Sequence, residues 1–354
     1  MARALQLARN GFYTTDPNPR VGCVLVKDNQ IIAEGWHAEA GQAHAEVDAL
    51  AKLPNPDLSH GATAYVTLEP CSHHGRTGPC CEALIAAGIS RVVVAMQDPN
   101  PLVAGNGLKK MRDAGVEVSC GLLQADAEQL NQGFIKRMLI GLPFVRSKLA
   151  MSLDGRTALA NGQSQWITSP QARQDVQKWR AESSAIVTGI DTVLADDPSL
   201  NARVDFAVKQ PIRVVLDSNL RMSPNAKMLQ LFGETWLMTC NGDQAKQQPL
   251  QDAGCKIVQV ASDNGRVNLL QTFKYLAQQQ INSVWVEAGA ALNGALLDTD
   301  LVDEWLVYVA PCVLGDQARG LFHFAELQAM ADKKAFKFNA VRQVGPDLRL
   351  TLSR

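Results

Sequence analysis

His44-Ala45-Glu46, read together with Pro70-Cys71 and Pro79-Cys80, is the part of this chain from which the rest can be read. One imidazole and two thiolates suit a tetrahedral zinc site that keeps its fourth position for water. Zinc lowers the pKa of such a water toward neutrality, so the set points to hydrolytic chemistry. A Glu two residues after the His is placed to move protons rather than to bind metal. Each residue taken singly has a plainer reading. A lone His on a helix is more often a satisfied core residue, and Cys is among the most buried residue types. A purely structural zinc site would have four protein ligands. His73, His74 and Cys81 are available as a fourth, but such a site gives no reason for Glu46. Cys71 is the first thiol ligand, and Cys80 and Cys81 compete for the other place. Cys80 is preferred, because it follows Pro79 at a helix start, where the dipole favours a thiolate.

Outward from this stretch, strands alternate with helices. Residues 2–10 suit a short helix, which cannot run into Asp16-Pro-Asn-Pro-Arg20 because proline blocks the helical ladder. Residues 21–26 and 31–34 read as a hairpin around Lys27-Asp-Asn-Gln30. Residues 43–53 fit a helix with His44 and Glu46 in its first turn. Residues 64–68 form a strand that delivers Glu69-Pro-Cys71. Helices at 80–87 and 108–114 alternate with strands at 91–95 and 116–120, a layered α/β pattern. Residues 125–140 read as one connecting helix. Gly141-Leu-Pro143 is the expected boundary, giving domains 1–143 and 144–354.

Composition sets outer limits. The chain has 354 residues, 46% hydrophobic and 19% charged, with a net charge of -1. That length favours two domains, and the balance disfavours a nucleic-acid protein held by a broad basic face. No apolar run approaches the roughly 18 residues of a membrane helix, and the N-terminus lacks the apolar core of a secretory signal. Eight cysteines in such a chain should be reduced, which suits the cytoplasm. Five of the six histidines precede residue 75, so metal chemistry belongs to the first half.

The second half restarts as a strand at 143–150. Further strands are read at 185–188, 212–216, 235–239, 256–260, 284–287 and 304–309. Helices are read at 169–180, 268–279 and 292–297. Ser169 caps the first of these, with Pro170 in its first turn. No Gly-x-Gly-x-x-Gly follows a strand, so motifs alone say only that this is an α/β domain with a polar site. Glu287 ends an apolar strand, where open α/β sheets place ligands. Asp154 reads as a turn residue.

In zinc deaminases the second thiol pair is usually Pro-Cys-x-x-Cys. Here eight residues separate Cys71 from Cys80. With that spacing, His44-Ala-Glu-Val and Thr67-Leu-Glu-Pro-Cys-Ser-His-His-Gly-Arg-Thr-Gly-Pro-Cys80 resemble the bifunctional deaminase–reductase family of riboflavin biosynthesis. Lys148-Leu-Ala-Met-Ser-Leu-Asp-Gly155, Ser164-Gln-Trp-Ile-Thr168, Thr192-Val-Leu-Ala-Asp-Asp-Pro198 and Glu287-Ala-Gly289 look like its reductase half, although many members carry Gly where Ala288 stands. The resemblance implies a cytidine-deaminase-like three-layer α/β/α domain followed by a dihydrofolate-reductase-like α/β domain. It implies zinc on His44, Cys71 and Cys80, with Glu46 as proton shuttle. It implies a diaminopyrimidinone substrate carrying a phosphoribosylamino group, met by Asn18, His37, Arg76, Asp98 and Asn100. NADPH would lie against Ala150, Trp166, Thr168, Thr192, Asp196 and Gly289. The reductase substrate would meet Ser164, Arg180, Leu200, Arg203 and Glu287, and the Lys148 ammonium would assist opening of the ribose. A homodimer through the reductase domain is expected, with no nucleic acid and no membrane. The main alternative is a tRNA-type nucleic-acid deaminase with an appended binding domain. With 6% aromatic residues and near-zero net charge, the chain offers little for that.

Overall fold

The computed structural model describes residues 1–72, 78–101 and 103–354. The chain divides into two units, Met1–Leu142 and Pro143–Arg354. In the first, helix α1 (Ala2–Ala8) precedes a hairpin of β1 (Gly22–Lys27) and β2 (Gln30–Trp36). Asp28 and Asn29 take φ of 51° and 60° at its tip. That left-handed geometry matches the strand twist, and Asp and Asn tolerate it. Then follow α2 (Ala45–Ala51), β3 (Thr63–Val66), α3 (Cys80–Ala86), β4 (Arg91–Val94), α4 (Asn106–Asp113) and β5 (Glu117–Cys120).

The strands form one sheet in the order β2-β1-β3-β4-β5. β1 runs antiparallel to both neighbours, while β3, β4 and β5 are parallel. Successive strand side chains face opposite sides. Cys23, Leu25, Ala64, Val66, Val92 and Val94 accordingly share one face with Ala45 and Ala49 of α2, Cys81 and Leu84 of α3, and Leu108 and Met111 of α4. Val24 turns the other way and packs with Ala4 and Leu7 of α1. The result is the expected α/β/α sandwich.

The single helix expected over 125–140 is two helices, α5 (Gln124–Leu130) and α6 (Gln132–Ile140). They part at Asn131, whose backbone leaves the helical region at φ -122°, ψ 23°. Its side chain accepts from Arg20 N at 2.8 Å and donates to Arg20 O at 3.0 Å. An Asn amide that finds backbone partners competes with the helix that would contain it.

The second unit begins with β6 (Phe144–Ser152) and the short β7 (Arg156–Ala158). It continues through α7 (Pro170–Glu182), β8 (Ala185–Gly189), α8 (Ile190–Asp196), β9 (Ile212–Leu216), β10 (Thr235–Thr239), α9 (Gln244–Asp252) and β11 (Cys255–Gln259). Two-residue strands β12 (Ser262–Asp263) and β13 (Arg266–Val267) lead to α10 (Leu269–Gln278), β14 (Ser283–Glu287), α11 (Ala290–Leu297) and β15 (Glu304–Ala310). The chain ends with β16 (Arg319–Gly320), β17 (Lys337–Val344) and β18 (Asp347–Ser353). The main sheet has nine strands, ordered β11-β10-β9-β8-β14-β6-β15-β18-β17. It is parallel from β11 to β15, and antiparallel where β18 joins β15 and β17. β14 returns late in the sequence to lie between β8 and β6. That reversal of strand order opens a crevice at the carboxyl ends of the strands.

The hairpin β17–β18 and helices α8 and α9 are absent from the sequence reading. Most of β17 is solvent-exposed on both faces, so it carries no apolar alternation. Pro249 lies inside α9 and masks its helical pattern. No described helix is long and apolar enough to cross a membrane.

Candidate active sites

Three separate elements bring the metal-ligating residues together. His44 caps the start of α2 in extended geometry, φ -73° and ψ 162°. Cys71 follows the end of β3, and Cys80 opens α3 directly after Pro79. His44 Nδ1 lies 3.6 Å from Cys71 Sγ and 3.3 Å from Cys80 Sγ. Among the described residues this is the one cluster suited to a metal, with ligand atoms all within 4.8 Å of one another. The Cys80 N–H also points at Cys71 Sγ, 3.2 Å away. The Cys80 thiol, His44 and this amide together hold the Cys71 thiol down to about 4. Two soft thiolates and one imidazole, in a unit with its own core, fit zinc with a position left open. Cys81 points away into the apolar core and is fully buried.

Glu46 is 3% exposed, and burial raises its carboxyl to about 7. His37 packs edge-on against His44, ring centroids 5.2 Å apart. His37 Nδ1 contacts Ala43 O at 3.0 Å, which leaves Nε2 to accept from Asn18 Nδ2 at 3.0 Å. Burial lowers the His37 pKa and so favours this neutral, accepting form. The Asn18 amide is thereby turned so that Oδ1 is its remaining acceptor. His37 itself is 2% exposed and stands behind Asn18, so it orients that residue. Asp98 folds onto its own loop, its Oδ1 accepting from Asn100 N at 2.8 Å. Arg76, His73 and His74 lie outside the described residues.

In the second unit the charged centre is Glu287, at the carboxyl end of β14. Arg180 reaches it from α7 with two bonds, Nε to Oε1 at 2.6 Å and Nη2 to Oε2 at 2.9 Å. Trp285 Nε1 donates to the same Oε1 at 2.8 Å. Although burial opposes it, Arg180 holds the Glu287 carboxyl down to about 2. Lys148 stands beside it in register on β6, and burial lowers its pKa. Arg180 also donates to Asn201 O at 3.1 Å, so its guanidinium is already engaged. Arg203 is exposed; its Nη1 donates to Asn201 Oδ1 at 3.0 Å and its backbone N–H to Gln177 Oε1 at 3.0 Å.

The family described as the cytidine and deoxycytidylate deaminase zinc-binding region matches residues 1–96, and the RibD C-terminal domain matches residues 143–350. Riboflavin biosynthesis protein RibD of Escherichia coli (strain K12) is 52% identical over 364 residues, covering 99% of this chain and 98% of that protein. That of Bacillus amyloliquefaciens is 44% identical over 354 residues, covering 99% and 94%. The chain belongs to the RibD family.

Solved structures agree with that assignment. Acinetobacter baumannii RibD, form 2, superposes with a TM-score of 0.93 at 47% identity, covering 99% of this chain and 97% of that one. A Thermotoga maritima protein described as a diaminohydroxyphosphoribosylaminopyrimidine deaminase/5-amino-6-(5-phosphoribosylamino)uracil reductase gives 0.87 at 32% identity, covering 100% and 97%. This RibD-family chain is therefore a bifunctional deaminase and reductase of riboflavin biosynthesis, with a zinc-binding first half and an NADPH-dependent second half. Membership sets aside the nucleic-acid deaminase alternative.

The residues expected around NADPH lie on several elements of the second unit. Ala150 lies on β6, Thr192 and Asp196 on α8, and Gly289 at the start of α11. A Cβ on Gly289 would meet nothing within 4 Å, so the backbone there borders open space. Gln165 Nε2 donates to Asp196 at 3.3 Å, joining the segment of Ser164, Trp166 and Thr168 to α8. Trp166 is 69% exposed, with the Arg173 guanidinium 4.5 Å over its ring. Leu200 behaves differently from its neighbours, because its side chain is 2% exposed within the apolar core. The sequence reading passed over Glu69, Trp285 and Asn201. Glu69 stands inside a quoted motif, but nothing in its type announces its partners.

Proposed function

We propose that residues 1–143 deaminate 2,5-diamino-6-(5-phosphoribosylamino)pyrimidin-4(3H)-one. Residues 144–354 then reduce the ribosyl group of the product, 5-amino-6-(5-phosphoribosylamino)uracil. The observation that carries this reading is the convergence of His44 Nδ1, Cys71 Sγ and Cys80 Sγ in the unit that holds buried Glu46. Zinc, when bound there, supplies a water acidic enough to attack at neutral pH. Glu46 takes the proton on its carboxylate and returns it to the departing ammonia. Asn18, turned by His37, accepts from a ring N–H through Oδ1. Asp98, Asn100 and Arg76 meet the ribose and phosphate.

In the second unit, bound NADPH supplies the hydride. Glu287 and Lys148 face the ribosyl group. Lys148 gives a proton to the ring oxygen as the sugar opens to its imine. Arg180 holds Glu287, and Arg203 with Ser164 and Leu200 completes the substrate side. Ala150, Trp166, Thr168, Thr192, Asp196 and Gly289 form the cofactor side.

The reductase unit also supports a homodimer. Phe338 is 64% and Val341 57% exposed on the outermost strand β17, beside Leu348 at 44% on β18. Such an edge favours pairing with a second copy. Free thiols on all eight cysteines suit a cytoplasmic location. The reading is tested by supplying the diaminopyrimidinone with NADPH and following ammonia release and NADPH oxidation separately. Ammonia without later NADPH oxidation would remove the reductase half of the assignment.

A further inference from the structure

Glu69 is 3% exposed, yet no step above uses it. It lies two residues before Cys71, and its carboxylate is surrounded by backbone N–H groups from a distant loop. Oε2 accepts from Asp98 N at 3.1 Å and from Gly105 N at 2.9 Å. Oε1 accepts from Gly107 N at 2.9 Å and from Leu108 N at 3.3 Å. These bonds to a charged acceptor are stronger than neutral ones. They reach from Asp98, in the loop after β4, to Gly107 and Leu108 in the first turn of α4.

The approach is close on the other side as well. A Cβ at Gly107 would lie 2.1 Å from Pro70 O and 3.2 Å from Glu69 Oε1. Gly105 takes φ +79°, a conformation that other residues rarely adopt. Both glycines are therefore what the clasp requires. The loop and the Glu69-Pro70-Cys71 segment are fastened as one piece, through backbone donors that no side chain replaces.

We propose that Glu69 is a positioning residue for deamination. Its carboxylate holds the loop of Asp98 and Asn100 at a fixed distance from Cys71, and so from the reacting ring carbon. The loop sets where the phosphoribosyl end of the substrate lies, and Glu69 sets where the loop lies. This rests on the reading that Asp98 and Asn100 face the substrate.

The test is Glu69→Gln in the full-length enzyme, with zinc content, deamination kcat and KM, and NADPH oxidation measured together. An amide has one acceptor oxygen, and its NH2 would face two N–H groups, so half of the clasp is lost. The deamination KM should rise roughly tenfold with kcat kept within about twofold, the pattern of lost binding that ground state and transition state share. Zinc and NADPH oxidation should be unchanged. Glu69→Gln should also add little to Asn100→Ala in a double-mutant cycle, because the two act on one contact. Additive effects, or a fall in kcat at constant KM, would overturn the proposal. If Asn100→Ala alone is silent while Glu69→Gln raises KM, the contact assigned to Asn100 is wrong and the loop acts through its other groups. Glu69→Asp, which keeps the charge, decides the case where the Gln variant loses zinc. A raised KM with zinc retained supports the proposal, and loss of zinc in both variants makes Glu69 a support for Cys71 alone.

Discussion

Glu46 is the residue whose loss should separate metal binding from chemistry. Glu46→Gln keeps the shape and cannot act as a base, so zinc should stay while ammonia release falls by about 10²–10⁴. Metal analysis beside an ammonia assay checks this, and wild-type turnover would remove Glu46 from its role. The thiols divide in the same way. Cys80→Ser should lose zinc. Cys81→Ser should keep it and lower stability by about 1–3 kcal/mol, since a hydroxyl enters the apolar core. In the reductase unit the family resemblance put two arginines on the phosphorylated substrate, and the geometry divides them. Arg180 is 8% exposed and committed to Glu287. Arg180→Ala would strip the Glu287 carboxylate of its bidentate partner and leave it only the Trp285 N–H and the nearby Lys148, which should destabilise the protein in denaturant melts by up to about 3–5 kcal/mol and lower turnover. Arg203→Ala should raise KM alone. Glu287 also makes an acid-stability prediction. Its folded pKa, about 2, lies below the ordinary 4.5. The stability it contributes is therefore complete above 4.5 and is lost as pH falls from there through about 2. Glu287→Gln should be less stable at neutral pH and show a flatter slope across that window. An unchanged slope would mean that Glu287 is not held by Arg180 in solution.

Elements explain why one site was easier to read than the other. The zinc ligands sit where elements begin or end, and such places carry local signatures: an N-cap, a Pro-Cys at a helix start. Glu287 and Arg180 stand 107 positions apart and meet only because β14 returns beside β8 and β6. No local pattern announces such a meeting, so the family resemblance had to supply it. Glu69 was hidden for another reason, since its partners are backbone amides that any residue could present. Asn131 is the matching case among helices. Periodicity ran through it, and the bond to Arg20 won. Because Arg20 closes the loop that carries Asn18, Asn131→Ala should raise the deamination KM several-fold and cost about 1–3 kcal/mol from the two lost bonds to the Arg20 backbone. Zinc content and NADPH oxidation should not move. A variant with unchanged KM would show that the helix break serves packing alone.

At the scale of the whole molecule, the metal cluster found among the described residues lies in Met1–Leu142. A fragment of residues 144–354 should therefore oxidise NADPH with the deaminated intermediate and keep doing so under a chelator. Loss of activity on chelation would tie the reductase to a metal. Removing residues 347–354 should abolish reduction and spare deamination, because β18 is paired on both sides within its sheet. That same position of β18 has a consequence for synthesis. Unit one is complete by Leu142 and can fold while translation continues. The reductase sheet cannot close until Asp347–Ser353 emerges from the ribosome. Until then β15 presents a bare row of amides and carbonyls, and the half-made reductase is the species for which a chaperone would compete with aggregation.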